Sequence, residues 1–388
     1  GDARVPAVDC CMNDLISKWS DLWEPREKPT LSEWAENNLY LSSDYAAKTG
    51  PIQLFGWQRG LFDSFTDPEV ETIVVMCGTQ LVKTLFIQAS LAYVIAEDPG
   101  PALLTQPKED DAQAFSKERL APMIRDCRAL RGKVADVKGR STSNTILDKR
   151  FDGGSIALVG AQTPGNLARR SIRYLFCDEI DKYPASAGTE GDPIGLARER
   201  TVTYRSRRKI ILTCSPTVKG KSRIGKAYLE SDQRKPWVAC HACGERQILE
   251  WARVRWNSDL EAEQRAASAY YECAHCNARW NDVQRWDACD DAEWRAAKPF
   301  AGIAGFWISH LYSPWKKLSE IVADFLSSKD DRQRFKVFVN TALADLWEEA
   351  GETPIPDILF GRREAYPFGE NAIVPRRDRK STRLNSSH

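Results

Sequence analysis

Apolar positions in this chain gather in short unbroken blocks. Thr72-Ile73-Val74-Val75-Met76, Pro101-Ala102-Leu103-Leu104-Thr105-Gln106-Pro107, Gly154-Ser155-Ile156-Ala157-Leu158-Val159-Gly160, Ile172-Arg173-Tyr174-Leu175-Phe176-Cys177 and Lys209-Ile210-Ile211-Leu212-Thr213-Cys214 are each the length of a strand. Near-continuous runs of this kind mark strands buried on both faces rather than one. Between them lie helical stretches: Leu85 to about Glu97, Asp110 to Arg131 with one charged face and an end near Gly132, and an Arg-rich helix after Pro184. Strand and helix alternating in this way predict an α/β core with a mostly parallel sheet. Leu31-Ser32-Glu33-Trp34-Ala35-Glu36 gives a short helical signal near the start, and residues 133–150 read as a polar strand-and-turn excursion. Towards the end, Leu318, Ile321, Val322 and Phe325, then Phe335, Phe338, Val339 and Ala342, fall at helical spacing and predict two core-facing helices. Pro and Gly thicken after Glu349, as in a linker, and residues 376–388 lack periodicity, as a disordered or foreign tail would.

The length of 388 residues leaves room for two or three domains, and 42% apolar residues with 13 Trp argue for a globular chain. No run of eighteen apolar residues occurs, so no transmembrane helix is expected. The opening Gly1-Asp2-Ala3-Arg4 has no initiator Met and no apolar signal region, and reads as part of a cytosolic protein. A net charge of +1 conceals a local imbalance: between Arg198 and Lys226 ten Arg and Lys residues face only Glu199. Such a stripe suits a phosphate backbone, and equally a solvated face.

Candidate chemistry starts where the run 172–177 ends abruptly in Asp178-Glu179. At such a strand end in a nucleotide-hydrolysing sheet, the first acid holds the Mg²⁺ shell and the second orients and deprotonates the attacking water. A strand running into a solvated acidic turn is the plainer reading of the pair alone. The partner motif lies upstream, where Cys77-Gly78-Thr79-Gln80-Leu81-Val82-Lys83-Thr84 joins a strand to a helix. Loop amides from Gly78, Thr79 and Gln80 and the helix N-terminus would face phosphates, Lys83 would reach the terminal ones, and Thr84 would ligate Mg²⁺. The loop departs from G-x-x-x-x-G-K-[ST], because Cys77 stands at the first Gly position and Val82 at the Gly before Lys83. If Val82 must take a positive φ, strain of about 1–3 kcal/mol and slow hydrolysis are expected. Trp57-Gln58 either stacks on and bonds an adenine or packs locally. Arg170 either touches a γ-phosphate or salt-bridges locally, and Ser215 with Thr217 either senses the γ-phosphate or caps a turn.

Eleven cysteines fit a reducing compartment rather than a disulfide framework, since four of them form two knuckles, Cys240-His241-Ala242-Cys243 and Cys273-Ala274-His275-Cys276. Twenty-nine residues separate the knuckles. Four thiolates at this spacing predict a closed tetrahedral Zn²⁺ site in a zinc ribbon, with His241 and His275 as exposed bystanders.

In order, these motifs resemble the large terminase subunit of tailed phages, in the GpA-like branch, over roughly residues 30–350. The resemblance implies a RecA-like P-loop ATPase core at 51–236, preceded by an irregular segment 1–50. It further implies a ribbon at 237–283, a helical remainder of the ATPase region at 284–350, and a linker and tail at 351–388. It implies a motor that uses ATP and Mg²⁺ to thread double-stranded DNA into a procapsid through the portal. Such a motor acts as a homo-oligomeric ring with a small terminase subunit, in the host cytoplasm and without a membrane. By matching position, Gln58 would contact adenine, Lys83 and Thr84 phosphate and Mg²⁺, Asp178 the metal and Glu179 the water, while Ser215 and Thr217 would couple hydrolysis to movement. Members also carry a C-terminal metal-dependent nuclease. Asp357, Glu364 and Glu370 are too few and too near the end to build its two-metal site, so no nuclease residue is assigned. Two rival readings are a superfamily 2 helicase, which needs a second RecA-like domain, and a non-catalytic, zinc-stabilised DNA-binding module with a decayed phosphate loop.

Overall fold

Each apolar block named above becomes a strand of one sheet in the computed structural model, which describes residues 28–46, 49–134 and 145–349. The expected linker and tail beyond 350, the first 27 residues and most of the excursion at 133–150 lie outside the described residues. The described residues up to Trp347 form one compact unit.

The chain enters through helix α1 (Leu31–Asn38), started by a capping box in which Thr30 and Glu33 bond each other's backbone N–H. A two-stranded ribbon, β1 (Tyr40–Leu41) with β2 (Gly50–Pro51), leads to α2 (Gly56–Thr66). Then come β3 (Thr72–Cys77), α3 (Lys83–Ala96) and β4 (Pro101–Gln106). The whole of β3 is buried and α3 is apolar nearly all round, which places both in the core.

The single helix expected over 110–131 is instead broken. It starts as α4 (Glu109–Phe115), widens into a π-turn over Ser116–Leu120, and resumes as α5 (Ala121–Asp126). Pro122 explains the break, because it has no N–H for the ladder; the Ala121 amide before it reaches back five residues to Ser116 O.

The sheet continues with β5 (Asp148–Phe151), β6 (Gly154–Gly160), α6 (Pro164–Ala168), β7 (Tyr174–Asp178), α7 (Pro193–Glu199), β8 (Lys209–Cys214) and α8 (Arg223–Glu230). The strand order is β15-β3-β8-β7-β4-β6-β5, parallel throughout except for β5 against β6. The edge strand β15 (Ile303–Ile308) is unexpected: its region reads as helical from sequence, yet Ile303 pairs with Thr72 and the register holds to Ile308 opposite Cys77. Because β3, β8, β7 and β4 are neighbours running the same way, their C-terminal ends open onto one rim. In open α/β sheets that rim is where ligands bind.

Between α8 and β15 lie two small antiparallel sheets. One has the order β10-β9-β14 (Arg246–Gln247, Lys235–Ala239, Glu293–Arg295) and the other β11-β12-β13 (Val254–Arg255, Tyr270–Glu272, Arg279–Trp280). They are tied back to the main body by Arg285, a fully buried side chain that donates to Leu311 O and Ser313 O, to Lys316 O at 2.6 Å, and to Asp282 Oδ1 at 2.8 Å. Tyr312 OH, also buried, donates to Pro236 O and accepts from Leu249 N, each at 2.8 Å. The two expected helices close the unit as α9 (Leu318–Ser328) and α10 (Arg332–Thr341). Among the described residues no helix is long and apolar enough to cross a membrane.

Candidate functional site

The loop from Gly78 to Val82 and the end of β7 meet at the rim. Lys83, the first residue of α3, is only 7% exposed, and its Nζ reaches Glu179 Oε1 at 2.9 Å and Ser215 Oγ at 2.7 Å. Residues 96 and 132 positions away in sequence therefore converge on one ammonium group. Burial works against the Lys83 charge, yet the Glu179 carboxylate beside it holds its pKa above the ordinary lysine value. Burial likewise pushes the Cys77 thiol up to about 11, so it lies under the loop as a neutral group.

Val82 does not take the backbone conformation feared for it. It serves as the N-cap of α3 at φ −150° and ψ −20°, and the left-handed position falls two residues earlier, on Gln80 at φ 54°. The expected strain is thus present in the loop but is carried by Gln80, a residue without the β-branch that makes such a conformation costly. Gly78 is needed for a different reason. A Cβ there would lie 2.7 Å from Thr341 O and 2.9 Å from His310 Cδ2.

The acids differ from one another. Asp178, 7% exposed, accepts from Thr213 Oγ1 at 2.6 Å and from Gln106 Nε2 at 3.1 Å. Burial raises its pKa, against the pull of those bonds. Glu179 is also buried enough for its pKa to rise, but Lys83 and Lys182, whose Nζ lies 3.2 Å from Oε2, outweigh that and lower it. Glu179 stands in the left-handed region at φ 54°, ψ 46°. A non-glycine residue so placed costs on the order of 1–3 kcal/mol and persists where the surroundings impose it. Two strained residues on one rim, Gln80 and Glu179, mark it out from the rest of the sheet.

Beyond β8, Ser215 holds Lys83, while Thr217 Oγ1 donates to Asp181 Oδ2 at 2.6 Å. Asp181 Oδ1 in turn accepts from Ile224 N at 2.8 Å, at the start of α8. Thr217 O accepts from Trp347 N at 2.8 Å. The Ser-Pro-Thr turn is therefore a junction between the lysine, the acid turn and the end of the unit.

Other expected residues are placed elsewhere. Arg170 is not brought to this cluster: its guanidinium forks onto Asp148 at 2.5 and 2.8 Å, on β5 at the far edge of the sheet. Gln58 is buried in the first turn of α2 and uses its Oε1 to accept from Phe55 N at 3.1 Å, so its carbonyl end is occupied as a helix cap. Thr84 is exposed beside Lys83. Sequence reading missed Gln106, Thr213 and His310. The first two were legible only as polar residues near the ends of apolar runs; His310 carried no signal.

The four knuckle cysteines come together with all Sγ atoms within 4.8 Å of one another. Cys240 to Cys276 is 3.8 Å and Cys243 to Cys273 is 3.9 Å. A tetrahedron of sulfurs about Zn²⁺ at ~2.3 Å has edges of about 3.8 Å, so the donor set and its size fit that ion. Each knuckle is shaped alike: Ala242 N and His275 N point at Cys240 Sγ and Cys273 Sγ, both at 3.4 Å, and a left-handed residue follows, Gly244 at φ 74° and Asn277 at φ 58°. Gln247 Nε2 adds a bond to Cys273 Sγ at 3.3 Å. His241 and His275 are exposed.

The basic stripe is split by β8. Arg205, Arg207 and Arg208 precede the strand at one end of the sheet, and Lys219, Lys221 and Lys226 follow at the end that carries the loop from Gly78 to Val82. Lys209 is withdrawn, donating to Asp67 O and Val70 O.

Two family models match the chain. "Phage terminase large subunit gpA, ATPase domain" covers residues 46–294, and "Terminase large subunit gpA, endonuclease domain" covers 303–382. The second thus begins well before the linker expected at 351, and takes in β15. The large terminase subunits of Escherichia phage lambda and Enterobacteria phage P21 are each 27% identical, over 377 and 369 residues. Each alignment covers 90% of this chain and 57% of the relative, so the chain spans little more than half their length. Among solved structures, the large terminase ATPase domain of Thermus phage P74-26 matches 72% of this chain and 89% of its own, with a TM-score of 0.40 and 11% identity. The large terminase of a second thermophilic bacteriophage matches 43% of this chain and 40% of its own, with a TM-score of 0.31 and 17% identity.

Proposed function

Since the chain belongs to the phage terminase large subunit gpA family, we propose that it is an Mg²⁺-dependent ATPase whose work is to drive double-stranded DNA into a procapsid. The observation that carries this reading is the convergence of Lys83, Glu179 and Ser215 at one strand rim, within 2.9 Å of the lysine. Lys83 would bind the terminal phosphates with the amides of Gln80, Leu81 and Val82; those of Gly78 and Thr79, expected to face phosphate, instead donate to Ile308 O and Thr341 O at 3.0 Å. To bind phosphate Lys83 must exchange Glu179 for phosphate oxygen, which frees the carboxylate to take a proton from water. Holding the acid on the lysine until substrate arrives ties base activation to binding.

Thr84 and Asp178 would hold Mg²⁺; a hydroxyl and a carboxylate suit its preference for oxygen. Bound there, the ion supplies charge neutralisation on the phosphate oxygens. Thr213 and Gln106 orient Asp178 and keep it from turning away. Ser215, joined to Lys83, would register loss of the γ-phosphate, and Thr217 would pass it to Asp181, α8 and the Trp347 segment. Gln58 remains the proposed adenine contact through its amide Nε2.

The ribbon is proposed to bind structural Zn²⁺ through its four thiolates. Double-stranded DNA is proposed to lie along Lys219, Lys221 and Lys226, on the same end of the sheet as the loop. A homo-oligomeric ring, a small subunit and the portal are the proposed partners, in the host cytoplasm. The nuclease is proposed as an activity of the longer relatives. Against the helicase reading, the residues after Thr217 build ribbon strands and an edge strand of the same sheet instead of a second core. Against the decayed-loop reading, Val82 sits at negative φ.

Steady-state phosphate release with and without double-stranded DNA tests this directly. The parent is expected to hydrolyse ATP, Lys83→Ala to lose both binding and hydrolysis, and Val82→Gly to stay within about threefold of the parent, since it relieves no strain and adds backbone freedom worth about 1 kcal/mol. An inactive parent rescued tenfold or more by Val82→Gly would show the loop to be disabled by that residue. Arg170→Ala is expected to leave hydrolysis within twofold and to lower stability in urea by no more than about 1 kcal/mol, as befits a half-exposed ion pair. A hundredfold loss of hydrolysis would instead return Arg170 to the catalytic site.

A further inference from the structure

The segment after β15 grips the loop. Gly78 N donates to Ile308 O and Thr79 N to Thr341 O, both at 3.0 Å, and His310 Nε2 lies 2.9 Å from Thr79 O. His310 is itself fixed by its own amide, which donates to Ala342 O at 2.7 Å, and it is only 6% exposed. Its other ring nitrogen, Nδ1, is buried without a partner among the described residues. Packing alone would favour an apolar ring here, because an unmatched buried lone pair is a cost that most native sites avoid.

We propose that His310 is a positioning residue for the phosphate loop, donating from Nε2–H to Thr79 O so that the next amide, Gln80 N–H, is aimed at the phosphate. The inference rests on reading residues 77–84 as that loop. Burial lowers the His310 pKa, so the ring is neutral and has a single N–H. A carbonyl can only accept, so the proton must sit on Nε2, and the bare nitrogen is Nδ1. The peptide linking Thr79 to Gln80 is planar and trans, so its O and N–H point in opposite directions. Fixing Thr79 O on the imidazole therefore turns Gln80 N–H away from His310, where it has no partner among the described residues. The same bond holds Gln80 at φ 54°. Released from His310, the peptide is free to flip, which would relax Gln80 to negative φ and turn its amide out of the cradle.

The test compares the parent with His310→Ala, His310→Gln, His310→Phe and Lys83→Ala, using calorimetric binding of Mg²⁺·ADP together with kcat and KM for ATP. Loss of the donor in His310→Ala and His310→Phe is expected to weaken ADP binding and raise KM about tenfold, with kcat within twofold. His310→Gln, whose amide can donate to the same carbonyl, is expected to come within threefold of the parent. His310→Phe fills the same space, and serves if His310→Ala does not melt cooperatively. Equal weakening in the Phe and Gln variants would overturn the proposal in favour of plain packing, and so would unchanged ADP affinity in His310→Phe while Lys83→Ala abolishes binding. Undiminished ADP binding by Lys83→Ala would instead sink the reading of the loop itself.

Discussion

Glu179→Gln is expected to lower kcat for ATP hydrolysis by about a hundredfold to a thousandfold while leaving nucleotide binding intact or tighter. The size follows from what a positioned general base contributes, about 10²–10⁴-fold. The direction of the binding change follows from the electrostatics of the rim. Glu179 is paired with Lys83, so on the proposed reading it would share the lysine with an arriving phosphate and add negative charge beside it. Gln keeps the length and the left-handed backbone at φ 54°, so the fold should not respond, whereas Ala would also remove contacts with Lys83 and Lys182. Steady-state phosphate release and ADP calorimetry on the same preparations separate the two effects. A variant retaining more than a tenth of the parental kcat would show that Glu179 only anchors the lysine, and the base would have to be sought elsewhere on the rim.

The largest effect on stability should come from the cysteine cluster. Cys273→Ser is expected to abolish binding of about one Zn²⁺ per chain and to unfold the ribbon. Structural zinc supplies about 10–16 kcal/mol in small zinc domains, as much as a whole domain's net stability. Cys273 is the sharpest choice because it is buried and accepts bonds from His275 N and Gln247 Nε2, contacts that a serine oxygen would not reproduce at sulfur distances. His275→Ala should keep its zinc, since its imidazole is outside the four-sulfur set. Metal analysis of the purified variants and melting curves taken with and without a strong chelator would measure both. Zinc retained in Cys273→Ser, or lost in His275→Ala, would overturn the four-thiolate assignment. Because Arg285 and Tyr312 fasten the ribbon to residues 311–316, its loss should also loosen the segment that carries His310.

The site was legible where its chemistry is local. The run 72–77 followed by Lys83-Thr84, the strand ending in Asp178-Glu179 and the paired knuckles each announce themselves within a short stretch, because burial and ligand spacing act along a single element. What escaped was set by partners far away in the chain. Arg170 could not be assigned until Asp148 was seen beside it. Val82 looked strained because a sequence template fixes residue types and not dihedral angles, and the fold moved the left-handed position to Gln80. The strand at 303–308 was missed because Gly302 and Gly305 interrupt its apolar pattern. Gly305 is there because Ser231 packs where its Cβ would be. His310 is a lone histidine whose meaning comes wholly from lying against Thr79.

The pairing of β15 with β3 has a consequence for how the protein is made. Ile303 and Thr72 are 231 residues apart. At about 5–20 residues per second, β3 leaves the ribosome roughly 10–50 s before the strand that covers its outer edge. Over that interval a mostly apolar strand has an unpaired edge, the condition under which nascent chains aggregate. Both knuckles emerge before Ile303, so the proposed Zn²⁺ would meet its four thiolates on the growing chain before that edge is covered. A metal-starved host would therefore be expected to yield insoluble protein rather than soluble protein lacking zinc.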